Sequence, residues 1–380
     1  MHIERMHLVS SYSDGIEEEV ICVSSECWSR TGQHPWTKLY NFSSDYLWQR
    51  RRMLDATTIM EMDVLAVSGE IVVDWRKPIA EDTGADSEYV MTGQTWLQAD
   101  TYLPLREILD LREVDGTLVW HSEATYYDHD VPIVIEAPVI ATVTPIPTVP
   151  AVERTPIAAH REQEELPFPG VLIVPDGSGP FPAVIVLHGS DGGTASTRTI
   201  ARQFAEAGYV ALALCYFGCP DTPFFLQDID LEVIMDAVDY LKKREDVQAD
   251  AIALVGYSRG AELALIVGAL DPDVRAVVSF AGSPWVHHGF PVGGTAWLYQ
   301  GKPLPFLLIP VEQIDGPVLL IHGEQDSLWP VGFSYRVADR LEAHGHAHEL
   351  AVYPAHGHGF YGQRPDALRR AMAFLERALQ

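Results

Sequence analysis

The 380-residue sequence predicts two folded parts in series, an N-terminal β-rich domain and a C-terminal α/β domain whose mainly parallel sheet is covered by helices on both faces. Three observations carry that prediction. From Gly170 onward, short continuous apolar runs alternate with helix-length segments, the pattern of strands buried on both faces. Before Pro138 the chain shows short strand-like runs broken by turn residues, with few helical stretches. Between them lies a segment carrying Pro145, Pro147, Pro150, Pro156 and Pro167, a density of proline that interrupts helices and interior strands.

In the first part, strands are expected at Glu19 to Val23, Ile59 to Val67, Glu70 to Trp75, Thr117 to Trp120 and Val131 to Ile135, punctuated by Ser68-Gly69 and Asp115-Gly116. Several short strands with turns at close intervals suggest a β-sandwich over residues 1–150. The basic triplet Arg50-Arg51-Arg52 reads as a solvated turn, with contact to an anionic substrate as the alternative. Residues 151–169 are expected to be an extended linker. Residues 170–380 then carry strands at Val171 to Val174, Ala183 to Leu187, Val210 to Leu214, Ala251 to Val255, Ala276 to Phe280, Val318 to Ile321 and Glu349 to Val352. Helices are expected at about Thr197 to Ala207, Asp230 to Arg244, Ala261 to Leu270, Val331 to His344 and Pro365 to Leu379. This spacing is that of an α/β-hydrolase.

Composition narrows the partners. With 26 Lys and Arg against 53 Asp and Glu the formal net charge is −27, which opposes nucleic acid and anionic membrane as partners. No apolar run reaches bilayer-spanning length, and Met1 to Gly15 has polar and charged residues where a secretory apolar region would lie. A cytoplasmic address is the expectation. Cys22, Cys27, Cys215 and Cys219 form no Cys-x-x-Cys pair, so reduced thiols are expected rather than disulfides or a zinc site. His344, His346 and His348 alternate around a helix end, where Gly345 marks a solvated cap better than a metal centre.

The chemistry concentrates in three places. Gly256-Tyr257-Ser258-Arg259-Gly260 joins a buried strand to a helix, the arrangement of a nucleophile elbow, in which the turn is too tight for side chains at the two glycines. A serine hydroxyl is a poor nucleophile at neutral pH and needs a base and an acid to orient that base. Asp326, in Gly323-Glu324-Gln325-Asp326 after a strand, is the expected acid, with Glu324 in reserve and a helix N-cap as the structural alternative. His358, in Gly357-His358-Gly359 after the last strand, is the expected base, with His356 competing. The order Ser258, Asp326, His358 is that of α/β-hydrolases. Backbone amides of Ser190, after His188-Gly189, and of Arg259 are expected to cradle the oxyanion. This chemistry requires no metal or organic cofactor.

The stretches Gly179-Pro180-Phe181-Pro182, Gly256 to Leu263, Ala281-Gly282-Ser283 and Tyr299 to Pro305 together resemble the acyl-CoA thioesterases and the bile acid-CoA:amino acid N-acyltransferases, with dienelactone hydrolases as more distant relatives. The resemblance implies an immunoglobulin-like N-terminal sandwich and a small-molecule acyl thioester or ester as substrate. It also favours a thioesterase over an amidating transferase, because the transferases that resemble this chain typically use Cys where Ser258 stands. The alternatives are a carboxylesterase or lactonase of dienelactone hydrolase type, an acyl-CoA-dependent N-acyltransferase, and a non-catalytic binding protein on the same scaffold.

Overall fold

The computed structural model describes residues 5–12, 15–23, 26–39, 61–67, 70–79, 89–98, 104–113, 116–127, 160–163, 165–291, 294–304, 308–359 and 364–380. The chain divides into two compact units, Met1–Val143 and Thr144–Gln380. Arg50-Arg51-Arg52 and the strand expected at Val131 to Ile135 lie outside the described residues.

The first unit contains β1 (Arg5–Tyr12), β2 (Glu17–Val23), β3 (Glu26–Thr31), β4 (Thr37–Leu39), β5 (Glu61–Val67), β6 (Glu70–Ile79), β7 (Tyr89–Gln98), β8 (Pro104–Glu113) and β9 (Leu118–Tyr127). They hydrogen-bond into one sheet in the order β4-β3-β2-β1-β9-β8-β7-β6-β5, every pair antiparallel. The β-rich expectation is met by one continuous sheet, so a sandwich requires that sheet to fold over itself. Alternation separates its faces, since strand side chains point to opposite sides in turn. Cys22, Cys27, Leu39 and Ala124 are buried with Leu8 and Val20 against them, while Glu19 sits between His7 and Arg30.

The expectation of reduced thiols is overturned. Cys22 and Cys27 lie directly opposite on β2 and β3 and are joined by a disulfide. Cys215 and Cys219 are joined across a turn. Spacings of five and four residues match no redox or metal motif; hairpin register and turn geometry bring the sulfurs together.

The second unit is built on β10 (His160–Gln163), β11 (Gly170–Pro175), β12 (Phe181–Leu187), β13 (Val210–Leu214), β14 (Ile229–Asp230), β15 (Val247–Tyr257), β16 (Ala276–Phe280), β17 (Trp297–Tyr299), β18 (Lys302–Pro303), β19 (Val318–Gly323) and β20 (His348–Tyr353). Its helices are α1 (Ala195–Glu206), α2 (Glu232–Lys242), α3 (Arg259–Leu270), α4 (Gly332–Ala343) and α5 (Arg364–Ala378). Eight strands form the main sheet in the order β10-β11-β13-β12-β15-β16-β19-β20, parallel from β13 to β20. Part of the expected linker is therefore an edge strand: His160–Gln163 pairs antiparallel with β11. The charged run there suits an exposed edge, which needs no apolar alternation.

Successive residues of each central strand serve opposite faces. Ile185, Leu187, Leu212 and Leu254 join the apolar faces of α2, α3 and α4, whereas Val184, Val186, Ala211 and Val255 join those of α1 and α5. Each large aliphatic side chain so buried contributes about 1.5–3 kcal/mol, and no helix among the described residues is long and apolar enough to cross a membrane. Strand order reverses between β12 and β15, which pair with each other. Loops leaving their carboxyl ends part to opposite sides there, opening the crevice where open α/β sheets bind ligands.

Candidate active site

β15 enters that crevice and turns sharply into α3. Ser258 holds φ 53° and ψ −117°, a backbone conformation disfavoured for a residue with a Cβ and retained where surrounding packing dictates it. The glycines explain the packing. A Cβ on Gly256 would lie 2.6 Å from Ala261 Cα and closer still to the Gly260 carbonyl; one on Gly260 would lie 2.5 Å from Leu187 O and closer still to His188 O. The Ser258 amide donates to Phe280 O at 2.9 Å, tying the elbow to β16.

The loop after β12 lies against the same turn. Gly189 is buried, and a Cβ there would sit 3.3 Å from Ser258 Cβ, so Ser190 begins the chain's exit beside the serine. Arg259 is the first residue of α3, where backbone N–H groups have no acceptor within the helix. A second turn supports this loop. The Tyr216 hydroxyl donates to His188 O, its ring stacks on His188 at 4.0 Å, and Gly193 N donates to Phe217 O at 3.1 Å. Cys215–Cys219 closes that supporting turn.

Asp326 leaves β19 and is 3% exposed. Its Oδ1 accepts the amides of Leu328 and Trp329, each at 2.9 Å, while Oδ2 accepts Nδ1–H of His358 at 2.6 Å. One oxygen therefore organises the turn, the job foreseen as a cap, and the other holds the imidazole. Burial pushes the carboxyl up, but hydrogen bonds from His322 and His358 outweigh it and hold it well below the usual carboxylate range. His356 turns Nδ1 to Pro354 O at 2.6 Å. The structure thus joins His358, not His356, to Asp326, not Glu324.

Several partners escaped the sequence reading. His322 Nε2 lies 3.2 Å from Asp326 Oδ2. Glu262, one turn into α3 and fully buried, accepts Trp297 Nε1–H at 2.7 Å and His287 N–H at 2.9 Å and faces Arg259 Nε at 3.3 Å. Burial pushes the Glu262 carboxyl up to about 7 against these partners. The available signals were a histidine next to the end of an apolar strand and a glutamate in a helix that is apolar all round after Arg259.

The segment Trp297 to Pro303 makes a hairpin of β17 and β18, with β14 alongside β17. Phe224, Phe225, Phe290 and Leu328 stand exposed on segments that follow β13, β16 and β19, at the carboxyl end of the sheet. A cavity of about 490 Å³ lies beyond Tyr216, lined by Phe168, Tyr240, Asp221 and Asp236; Ser258, Asp326 and His358 are not among its walls. Among the described residues no group of three or more His, Cys, Asp or Glu is placed to hold a metal ion. His344 and His348 direct Nδ1 to the backbone oxygens of Arg340 and His346.

Comparison with known proteins follows the same lines. The chain is 32% identical over 217 residues to acyl-coenzyme A amino acid N-acyltransferase 2 of Rattus norvegicus, covering 50% of this chain and 51% of that one. It is 28% identical over 243 residues to acyl-coenzyme A thioesterase 1 of Homo sapiens, covering 55% and 54%. The chain thus spans about half the length of the curated relatives it matches. Among solved structures, a dienelactone hydrolase-like promiscuous phosphotriesterase from metagenomic libraries is 17% identical, with a TM-score of 0.44 over 56% of this chain and 92% of that one. The dienelactone hydrolase family model matches residues 168–218 and 226–378, more than half of the sequence, and the chain belongs to that family.

Proposed function

We propose that this protein hydrolyses acyl thioesters through an acyl-enzyme on Ser258. The observation that carries the proposal is a histidine held by a buried aspartate at 2.6 Å on loops at the same end of the sheet as a strained strand-to-helix serine. His358 takes the Ser258 proton as Oγ attacks the acyl carbonyl, then delivers it to the leaving thiolate; a water activated by the same imidazole releases the acid. The mechanism requires a Ser258–His358 hydrogen bond in the substrate complex, where such bonds tighten. Asp326 stabilises the imidazolium, and the Ser190 and Arg259 amides receive the oxyanion, each worth about 3 kcal/mol of barrier.

The exposed Phe224, Phe290 and Leu328 favour a substrate with an apolar portion, and the thioesterase relative favours a thioester. In this reading the N-terminal sheet folds over itself as the immunoglobulin-like sandwich. Two disulfides fit an oxidising compartment better than the cytoplasm expected from composition. The N-acyltransferase relative supports a second reading, in which an amine replaces water.

The test is a panel of acyl-CoA thioesters and matched p-nitrophenyl esters, with and without an amino acid acceptor, on wild type and Ser258→Ala. A higher kcat/KM for thioesters, lost in Ser258→Ala, supports the proposal. Preference for oxygen esters moves the assignment to a carboxylesterase, and N-acyl product formed at the expense of free acid moves it to the transferase.

A further inference from the structure

We propose that His322 is a positioning residue for this site, acting on the same carboxylate oxygen that holds His358. The inference rests on the reading of His358 as the base. His322 is the penultimate residue of β19 and is completely buried. Its Nε2 faces two acceptors, Trp329 O at 2.9 Å and Asp326 Oδ2 at 3.2 Å, so that nitrogen carries the hydrogen. Its Nδ1 meets Ser334 Oγ of α4 at 2.7 Å and in the neutral ring accepts the hydroxyl hydrogen. A chain of donors therefore runs from Ser334 through His322 to Asp326 Oδ2, where it meets His358 Nδ1–H at 2.6 Å.

An imidazole in this place is expensive unless used. The rest of the strand, Val318 to Ile321, is apolar and buried, and an apolar residue would fill the position without the desolvation that imidazole brings. What His322 supplies is a second donor to Oδ2. Other titratable groups on the neighbouring elements are Glu324 on the same loop, Tyr335, Arg336, Asp339, Arg340 and Glu342 on α4, and His348, Glu349 and Tyr353 on β20; the polar contacts of His322 run to Ser334, Trp329 and Asp326. With two imidazoles sharing Oδ2, its charge is divided between them. Removing His322 leaves that charge on the His358 bond, and His358 then holds its proton more tightly.

The experiment uses the full chain with His322→Phe, which fills the space without a donor, and His322→Gln, whose amide nitrogen replaces Nε2. The His358 titration midpoint is read from its ring proton by NMR, and the rate of Ser258 labelling by a fluorophosphonate is read against pH, with Ser258→Ala as blank. The expected result is a midpoint raised by about half a pH unit in His322→Phe, with labelling on the acidic limb slowed about threefold. His322→Gln is expected to restore the wild-type midpoint.

A midpoint unchanged in His322→Phe, or moved equally by Phe and Gln, overturns the proposal. Should His322→Phe fail to fold, Ser334→Ala carries the test, since it weakens the relay and raises the midpoint by a smaller amount; no shift there overturns it equally. Wild type that resists labelling while its His358 midpoint still responds to His322 overturns the hydrolase reading and leaves the positioning intact.

Discussion

Gly260→Ala probes the contact between the two elements proposed to supply the oxyanion donors. A Cβ at residue 260 would lie 2.5 Å from Leu187 O, with ordinary contact beginning at 3.4 Å, so α3 and the end of β12 must separate by about 1 Å. The neighbours on that side are backbone, and His188 O is also held by the Tyr216 hydroxyl, so no flexible side chain can absorb the displacement. A shift of about 1 Å in a catalytic constellation costs about 10²-fold in rate, and overpacking costs about 1–3 kcal/mol in stability. The assay is kcat on an acyl thioester and on p-nitrophenyl butyrate, with the thermal midpoint measured alongside. Activity within threefold of wild type at an unchanged midpoint would refute the argument that the elbow leaves no room for a side chain.

Asp326→Asn keeps the shape but offers His358 an amide in place of a carboxylate, favouring the wrong tautomer; kcat is expected to fall about 10³- to 10⁴-fold with KM little changed, as steady-state kinetics will show. Glu262, raised to about 7 from 4.5 in the folded protein, binds its proton more tightly folded than unfolded. Its contribution to stability is therefore present below pH 4.5 and lost as pH rises through the window to about 7, by about 3 kcal/mol in all. Denaturant unfolding of wild type and Glu262→Gln across that window should show a steeper fall in wild type, since burial also raises Asp271 and Glu324, which both proteins keep. All four cysteines are paired, so thiol titration in denaturant should find none before reduction and four after. Because the Cys215–Cys219 turn holds the His188–Gly193 loop, Cys215→Ser with Cys219→Ser should lower stability by about 2 kcal/mol and reduce kcat more than it alters KM.

How far the sequence was readable follows from burial. The strands Val171 to Val174, Ala183 to Leu187 and Ala251 to Val255 recur in the structure because a strand covered on both faces is an unbroken apolar run. In the N-terminal unit β2, β5, β6 and β9 were anticipated, whereas β7, with Gly93 and Gln94 at its centre, and β8, with Arg106, Asp110 and Arg112 along it, were not. Their pairing is set by neighbouring strands rather than by their own alternation. Loop position after β19 and β20 pointed to Asp326 and His358, which the structure brings together. The second imidazole on Asp326 and the partners of Glu262 were hidden: His322 reaches Asp326 only because the chain turns back on itself after β19, and Trp297 reaches Glu262 across 35 residues from the hairpin of β17 and β18. The disulfides were hidden because strand register sets Cys22 opposite Cys27 and a turn brings Cys219 back to Cys215.

The central claim is a covalent intermediate on Ser258. Intact-mass analysis of the protein quenched during turnover of an acyl thioester, followed by peptide mapping, tests it most directly. One acyl adduct is expected on the peptide containing Ser258, absent from Ser258→Ala and cleared as substrate is exhausted. Turnover without an adduct, or an adduct on another residue that persists in Ser258→Ala, would contradict it.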